Sequence, residues 1–378
     1  MRSDQAFWPS PETYVIRNRP DRPVLCFAPH VLQATARRFI EGFDGLVTYA
    51  VKANDDPAVL ANLAAAGIEA FDVASPAEMA RVREVKGDAV LHYHNPVRSA
   101  AEIAEGVRHG IQSWSVDCPQ ELAKLAEVPR AGTEIAVRLR LPVKGAAYDF
   151  GEKFGVGPER AETLLREVAA RGFVPSITFH PGTQCADPAA WGSYISVAAD
   201  VARAAGVRLA RLNVGGGFAS HRGGAAPDLE AIFDHIRAET TRCFGADAPD
   251  LVCEPGRAMV ADAFSLAARV KALRENGSVF LNDGIYGGLT EIRDIGAPGR
   301  VRVLSPEGVP RRAPPVARVI FGPTCDSIDR LPDPLPLPGD MEEGDYVLFD
   351  GMGAYSRSLT TRFNGYGLGG SVTVASLT

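Results

Sequence analysis

Lys52 closes the run LVTYAVK, in which Val47, Tyr49 and Val51 alternate with Thr48 and Ala50. Alternation of this kind is the period-2 pattern of a strand. Asn54, Asp55, Asp56 and Pro57 follow, all of them turn formers. A lysine therefore sits where a buried strand meets a loop. The chain holds only six lysines against 34 arginines, so a plain surface charge here would ordinarily be an arginine. Lysine differs in what it can do: it can lose its proton, attack a carbonyl and form a Schiff base. The competing reading is a strand-end lysine whose stem is buried and whose head reaches water.

Other stretches carry matching chemistry. Gly215, Gly216 and Gly217 follow LNV. A bare backbone turn leaves N–H groups to cradle a phosphate; an ordinary flexible turn is the alternative. Glu254 and Arg257 lie in EPGR. The carboxylate could keep a pyridinium nitrogen protonated or form a structural ion pair, and Arg257 could meet the same phosphate. His180, in FHPGT, could lie flat against a planar ring or be a satisfied strand-end histidine. In GPTCDS, the Cys325 thiol adjoins the Asp326 carboxylate; it reads as a proton donor or as an inert buried thiol. Tyr355, in GMGAYS, offers a hydroxyl to a phosphate or a packed ring. Lys153, in GEKFG, pairs with an acid elsewhere or is solvated. A Schiff-base lysine, a phosphate cradle and a carboxylate for a ring nitrogen together describe pyridoxal 5′-phosphate (PLP). The six cysteines are scattered, with no CxxC pair and no metal-ligand spacing, so neither a metal site nor a disulfide framework is expected.

These residues need elements to hold them. Strand-like runs fall at 24–28, 46–52, 68–74, 89–94, 111–117, 134–141, 174–180, 208–215 and 250–254. Helical patterns lie between them, at 59–66, 76–85, 100–109, 119–127, 158–172, 187–205 and 228–244. Ser75 is a good N-cap with Pro76 at the first helical position, and Gly67 ends the helix before it. Such alternation means repeated βα units and a parallel sheet. Without the first short run, eight strands remain over about 46–256, which fits a closed (β/α)8 barrel. An open doubly wound sheet would carry a GxGxxG turn after its first strand, and none is there. In a barrel the chemistry collects at the C-terminal strand ends. Lys52, Asp72, Arg138, His180, the glycine triplet and Glu254 all fall there. After about residue 262 the helical patterns largely stop, and short runs at 279–281, 300–304, 315–321, 346–349 and 371–374 read as strands. The division expected is therefore 24–262 for the barrel, with 1–23 and 263–378 in a mostly β domain.

With 378 residues, 46% hydrophobic and 23% charged, the chain has ordinary globular composition. A net charge of −6 gives no footprint for nucleic acid or an anionic membrane. No apolar run is long enough to span a bilayer, and no secretory h-region opens the chain; a reducing cytoplasm is expected.

The blocks YAVKAN, FDVAS, KFG, FHPGTQ, VGGGF, EPGR, NDGIYG, GPTCDS and GAYS resemble those of the fold type III PLP-dependent basic amino acid decarboxylases, with eukaryotic-type ornithine decarboxylase as the type member. They run in family order from residue 49 to 356. The resemblance implies an alanine racemase-like (β/α)8 barrel with a C-terminal β domain, working as a homodimer with shared active sites. It implies that Lys52 holds PLP, that His180 stacks on the ring and that Glu254 binds the ring nitrogen. Gly215, Gly216, Gly217, Gly256, Arg257, Thr183 and Tyr355 would hold the phosphate, with Asp72, Arg138 and Glu78 around the lysine. Cys325 from the partner subunit would protonate the product carbon, and Asp326 would bind the distal ammonium. Lys153 and Asp329 would pair between subunits.

The expected reaction is decarboxylation of L-ornithine to putrescine, or of L-lysine to cadaverine, in polyamine biosynthesis. Two departures stand out. The family's second substrate aspartate falls by count on Ile295, so Asp294 is the expected substitute, with Arg293 beside it. HYHNPVRS has histidines, His92 and His94, where less polar residues are expected. Arg293 keeps a substrate with a distal carboxylate, such as meso-diaminopimelate, as the alternative. A non-catalytic PLP-binding homologue is a further alternative, opposed by the presence of Lys52, Glu254 and Arg257.

Overall fold

The computed structural model describes residues 7–142 and 153–378. Residues 1–6 of the stretch 1–23 expected in the β domain lie outside that range. The chain forms two compact units. The first gathers Thr35–Ala219 and Pro227–Ala258; the second gathers the chain up to Ala34, Ser220–Ala226 and Met259–Thr378.

The first unit is a closed barrel of eight parallel strands. In order these are Leu46–Ala50, Ala70–Asp72, Val90–Tyr93, Ser113–Val116, Glu134–Arg138, Val174–Thr178, Arg211–Asn213 and Asp250–Cys253. The eighth pairs with both the seventh and the first, which closes the ring. The crossover helices begin where expected. Ser75 caps Pro76–Val85 by accepting from the Glu78 amide, and Ser99 with Glu102 forms a reciprocal capping box on Ala100–Arg108. Leu164, Leu165 and Val168 of Pro158–Ala170 are buried, as are Trp191, Tyr194 and Ile195 of Ala189–Ala205. Those faces cover the outside of the barrel, as apolar helix stripes do. The inside is different. Barrels of this kind are usually filled by branched aliphatic layers, yet Thr48, His92, Ser113, Glu134, Ser176 and Asn213 are all buried here.

The second unit is built on an eight-stranded sheet. Its spine is Phe264–Leu273, which pairs antiparallel with Val24–Phe27, Val279–Leu281 and Tyr346–Asp350. Gly370–Val374 adds in parallel beside Val24–Phe27, and Val301–Leu304 adds antiparallel beside Tyr346–Asp350. Val15, Ala267, Leu304, Tyr346 and Leu348 form one of its core clusters.

Two readings of the sequence are corrected here, and one strand escaped it. The run at 24–28 belongs to the β unit, because it pairs with strands at 264–273 and 370–374, so the barrel unit starts later than residue 24. The stretch 1–23 holds a helix, Pro11–Asn18, capped by Ser10, and a further helix, Pro29–Gly42, precedes the first barrel strand. The spine strand itself escapes a propensity reading: FSLAARVKAL is rich in helix formers. It is a strand because edges on both sides satisfy its backbone, and tertiary context overrides a weak local preference.

Candidate active site

Lys52 lies on a single 3-10 turn, Val51–Ala53, directly after the first strand. The turn is packed tightly. Tyr49 donates its hydroxyl to the Asn54 carbonyl across 3.0 Å. A Cβ on Gly256 would come within 3.2 Å of Ala50 and Ala53, so glycine lets the EPGR loop close over the turn. Lys52 is exposed, and its charge acts on Asp72, Glu78, His180 and Glu254.

The glycine triplet follows the seventh strand and is locked in place. The Glu254 amide donates to the Gly215 carbonyl across 2.8 Å, and the Cys185 amide to the Gly217 carbonyl across 2.9 Å. Gly215 and Gly217 have φ of 69° and 87°, the left-handed region that favours glycine. Cβ atoms there would lie 2.0 Å from the Phe179 carbonyl and 2.1 Å from the Gly182 carbonyl. Among the described residues, the amides of Gly216 and Gly217 meet no backbone or side-chain acceptor. Arg257 Nη2 lies 3.5 Å from Thr183 Oγ1. Two open amides, a hydroxyl and a guanidinium thus come from the loops after the sixth, seventh and eighth strands, the anion site of this fold class.

His180 stands against the same turn. Its Nε2 would be 3.2 Å from a Cβ on Gly216, and its Nδ1 accepts from the Gly182 amide across 3.1 Å. Burial, and then the charges of Lys52 and Arg138, push its pKa down to about 3. A neutral, edge-anchored imidazole results, which can stack on an aromatic ring without adding charge.

Glu254 is the anion of the site. Despite burial, His94 and Asn213 hold its pKa well below the usual carboxylate range. Asn213 Nδ2 donates to its Oε1 across 2.5 Å, and His94 Nδ1 bonds the same oxygen. Asp72 lies 3.9 Å from His94 Nδ1. Burial and the neighbouring Glu254 charge raise its pKa, as expected for two carboxylates sharing a buried site. Arg138 Nη1 reaches the His94 carbonyl at 3.5 Å. Glu78 turns back to accept the Ala74 amide across 2.7 Å.

The expected substrate groups lie in the β unit. Cys325 is exposed, and its amide donates to Asn364 Oδ1 across 3.0 Å. Tyr286 donates its hydroxyl to Asp326 Oδ2 across 2.6 Å, and the Ile328 amide donates to Oδ1. The Tyr286 hydrogen bond lowers the Asp326 pKa. Asp329 is buried rather than displayed. Its carboxylate takes the amides of Ile285 and Thr324 and the Thr324 hydroxyl, at 3.0, 3.0 and 2.7 Å, so it staples the Cys325 loop to the NDGIYG segment. Lys153 covers the Phe154 ring at 4.9 Å. Asp294 is exposed and bonded to Arg293 at 3.1 and 3.3 Å. Tyr355 also lies in the β unit, with φ of 63°.

Sequence reasoning missed the environment of Glu254. Asn213, Ser113 and Glu134 lie on three different strands and His94 just past a fourth, and only HYHNPVRS gave a signal by being too polar. Tyr286 and Asn364 were missed as well, because they approach the Cys325 loop from distant segments.

The family described as "Pyridoxal-dependent decarboxylase, pyridoxal binding domain" matches residues 31–261. The chain is 33% identical over 332 residues to a lysine/ornithine decarboxylase of Selenomonas ruminantium, covering 85% of this chain and 81% of that one. It is 30% identical over 343 residues to the ornithine decarboxylase of Panagrellus redivivus, covering 84% and 77%. The solved lysine decarboxylase of Selenomonas ruminantium superposes with a TM-score of 0.83 at 28% identity, over 97% of this chain and 96% of that one. The arginine decarboxylase of Paramecium bursaria Chlorella virus shares the fold, with a TM-score of 0.84 at 24% identity over 95% and 97%. An anion cradle beside a flat neutral ring, a strand-end amine and a buried carboxylate agrees with these likenesses, and the chain belongs to the PLP-dependent ornithine/lysine decarboxylase family.

Proposed function

We propose that the protein removes the α-carboxylate of L-ornithine, L-lysine or both, releasing putrescine or cadaverine. The observation that carries this choice is the Cys325–Asp326 loop. Tyr286 keeps Asp326 anionic, and the half-buried carboxylate stands beside an exposed thiol. Such a group attracts a distal ammonium and repels a distal carboxylate. The alternative built on Arg293 loses support, because that guanidinium is bonded to Asp294. Two relatives named for ornithine and lysine support the same substrates.

PLP fits the residues present: the glycine turn leaves amides for its phosphate, His180 is neutral for its face, and Glu254 is anionic for its ring nitrogen. When bound, PLP supplies an electron sink that stabilises negative charge at the substrate Cα. Lys52 would provide the amine that attaches it, and Arg257 and Thr183 would help hold its phosphate. Gly215, Gly216 and Gly217 let the backbone come close enough to do so. The Glu254 carboxylate would hold a proton on the ring nitrogen. Cys325 would deliver a proton to Cα after CO2 leaves.

Asp326→Asn keeps the shape and removes the charge. It should raise KM for ornithine and lysine by about tenfold or more, with a smaller change in kcat. An unchanged KM for both would place the distal ammonium elsewhere.

The working form proposed is a homodimer in which one copy's Cys325–Asp326 loop serves the other copy's barrel; the family resemblance supports this. Lys52→Ala and Cys325→Ala proteins, mixed and reassembled, should regain about a quarter of wild-type activity, since half the dimers would be mixed and each would hold one intact site. No recovery after verified subunit exchange would mean that each site is made by one chain. Six free cysteines support a reducing, cytoplasmic setting. Among the described residues, no helix is long and apolar enough to cross a membrane.

A further inference from the structure

The carboxylate proposed for the ring nitrogen is the end of a buried hydrogen-bonded chain. His94, just past the third strand, bonds Glu254 Oε1 through Nδ1 and Ser113 Oγ through Nε2, the latter at 2.9 Å. Ser113 donates its hydroxyl to Glu134 Oε1 across 2.7 Å, and Arg211 lies 3.4 Å from Glu134 Oε2. His94, Ser113 and Glu134 are all buried.

The proton positions follow from the partners. Asn213 Oδ1 accepts the Gly215 amide across 2.9 Å, which fixes the amide orientation, so Nδ2 is a donor and Glu254 Oε1 an acceptor. His94 Nδ1 lies 3.0 Å from the donor Asn213 Nδ2 but closer to Glu254 Oε1; an ionised carboxylate oxygen can only accept, so Nδ1 carries a proton toward it. The Ser113 proton is directed to Glu134, so the Ser113 oxygen accepts from Nε2, which must carry a proton too. Both ring nitrogens are donors, and the ring is an imidazolium. Burial opposes that charge, but Glu254 and Asp72 outweigh it and raise the His94 pKa.

We propose that His94 is a positioning residue: as an imidazolium anchored through Ser113 to Glu134, it keeps Glu254 ionised and aimed while PLP is absent or bound. This rests on the reading of Glu254 as the ring-nitrogen partner. The charged and titratable groups facing His94 are Asp72 on the second strand, His92 on the third, Glu134 and Arg138 on the fifth and Glu254 after the eighth; Ser113 and Asn213 complete the shell. Lys52 acts on Asp72 and Glu254 from the first strand's turn. His92 cannot replace His94. Burial pushes its pKa down to about 3, and neither of its ring nitrogens has a hydrogen-bond partner among the described residues.

The direction of the pH effect follows. A carboxylate whose pKa is held down stays ionised as pH falls; without the cation beside it, it takes up a proton at higher pH. PLP affinity of the apo-protein, titrated by absorbance across about pH 5.5–8, is the first readout. His94→Gln should bind PLP about tenfold to a hundredfold more weakly, with the deficit widening as pH falls. Ser113→Ala should shift the same way by less. Side-chain NMR of ¹⁵N-histidine-labelled apo-protein is the second readout. The resonances lost in His94→Gln should show an imidazolium in the wild type at about pH 8.

A neutral His94 at pH 7, or unchanged affinity and pH slope in a folded His94→Gln, would overturn the proposal. If His94→Gln does not fold, Ser113→Ala and the wild-type NMR decide alone. Glu254→Gln separates the two layers. If it leaves PLP affinity and spectrum unchanged, the ring-nitrogen reading has failed; if it weakens binding while His94→Gln does not, only the present proposal has.

Discussion

Lys52→Ala should lower decarboxylation by more than ~10³-fold, because the residue proposed to make the covalent attachment cannot be replaced by its neighbours. The wild-type protein should be yellow, and borohydride should fix the cofactor to a single peptide containing Lys52. The variant should lose that adduct while its fold persists, since the side chain is exposed and ends a 3-10 turn rather than filling the core. Arginine at this position should be no better, because it keeps a charge yet cannot lose its proton to act as a nucleophile. Borohydride labelling at another lysine in the wild type would remove Lys52 from its role. Only six lysines exist in the chain, so peptide mapping gives an unambiguous answer.

Cys325→Ala should retain PLP and its colour, yet lose about 10²–10⁴-fold in diamine formation, the range a positioned proton donor supplies. The thiol's loop is held by the Cys325 amide bonding Asn364 and by Asp329 beneath it, so alanine removes the sulfur without releasing the loop. CO2 release and diamine release should then part company. Without the Cys325 proton, part of the turnover should be diverted to transamination and leave as an aldehyde instead of a diamine. The check is to measure CO2, diamine and spectrum in one reaction. Equal CO2 and diamine at the wild-type rate would show that another group delivers the proton.

The contrast between Asp326 and Asp329 shows how little identity says without position. Three residues apart on one loop, both read from the sequence as groups directed outward. Asp326 is half-buried and takes one hydroxyl and one amide, whereas Asp329 is fully buried with three donors. The first can meet a substrate; the second holds the loop that presents it.

Much of the protein was legible from its sequence because the signals are local. A strand alternates with period two, a serine or proline starts a helix, and three glycines in a row leave a backbone bare. These are statements about adjacent residues, and they sufficed for the eight strands, the glycine turn, Lys52 and Glu254 at strand ends. The strand at 264–273 was not legible, since its residues prefer a helix and only flanking edges make it extended. Nor was the chain from Glu254 through His94 and Ser113 to Glu134. Its members lie on or just past separate strands, and barrel closure alone brings them within hydrogen-bond distance. Protonation was decided at the same level: whether a histidine is charged depends on which oxygens surround it in a dry interior, and no spacing along the chain encodes that.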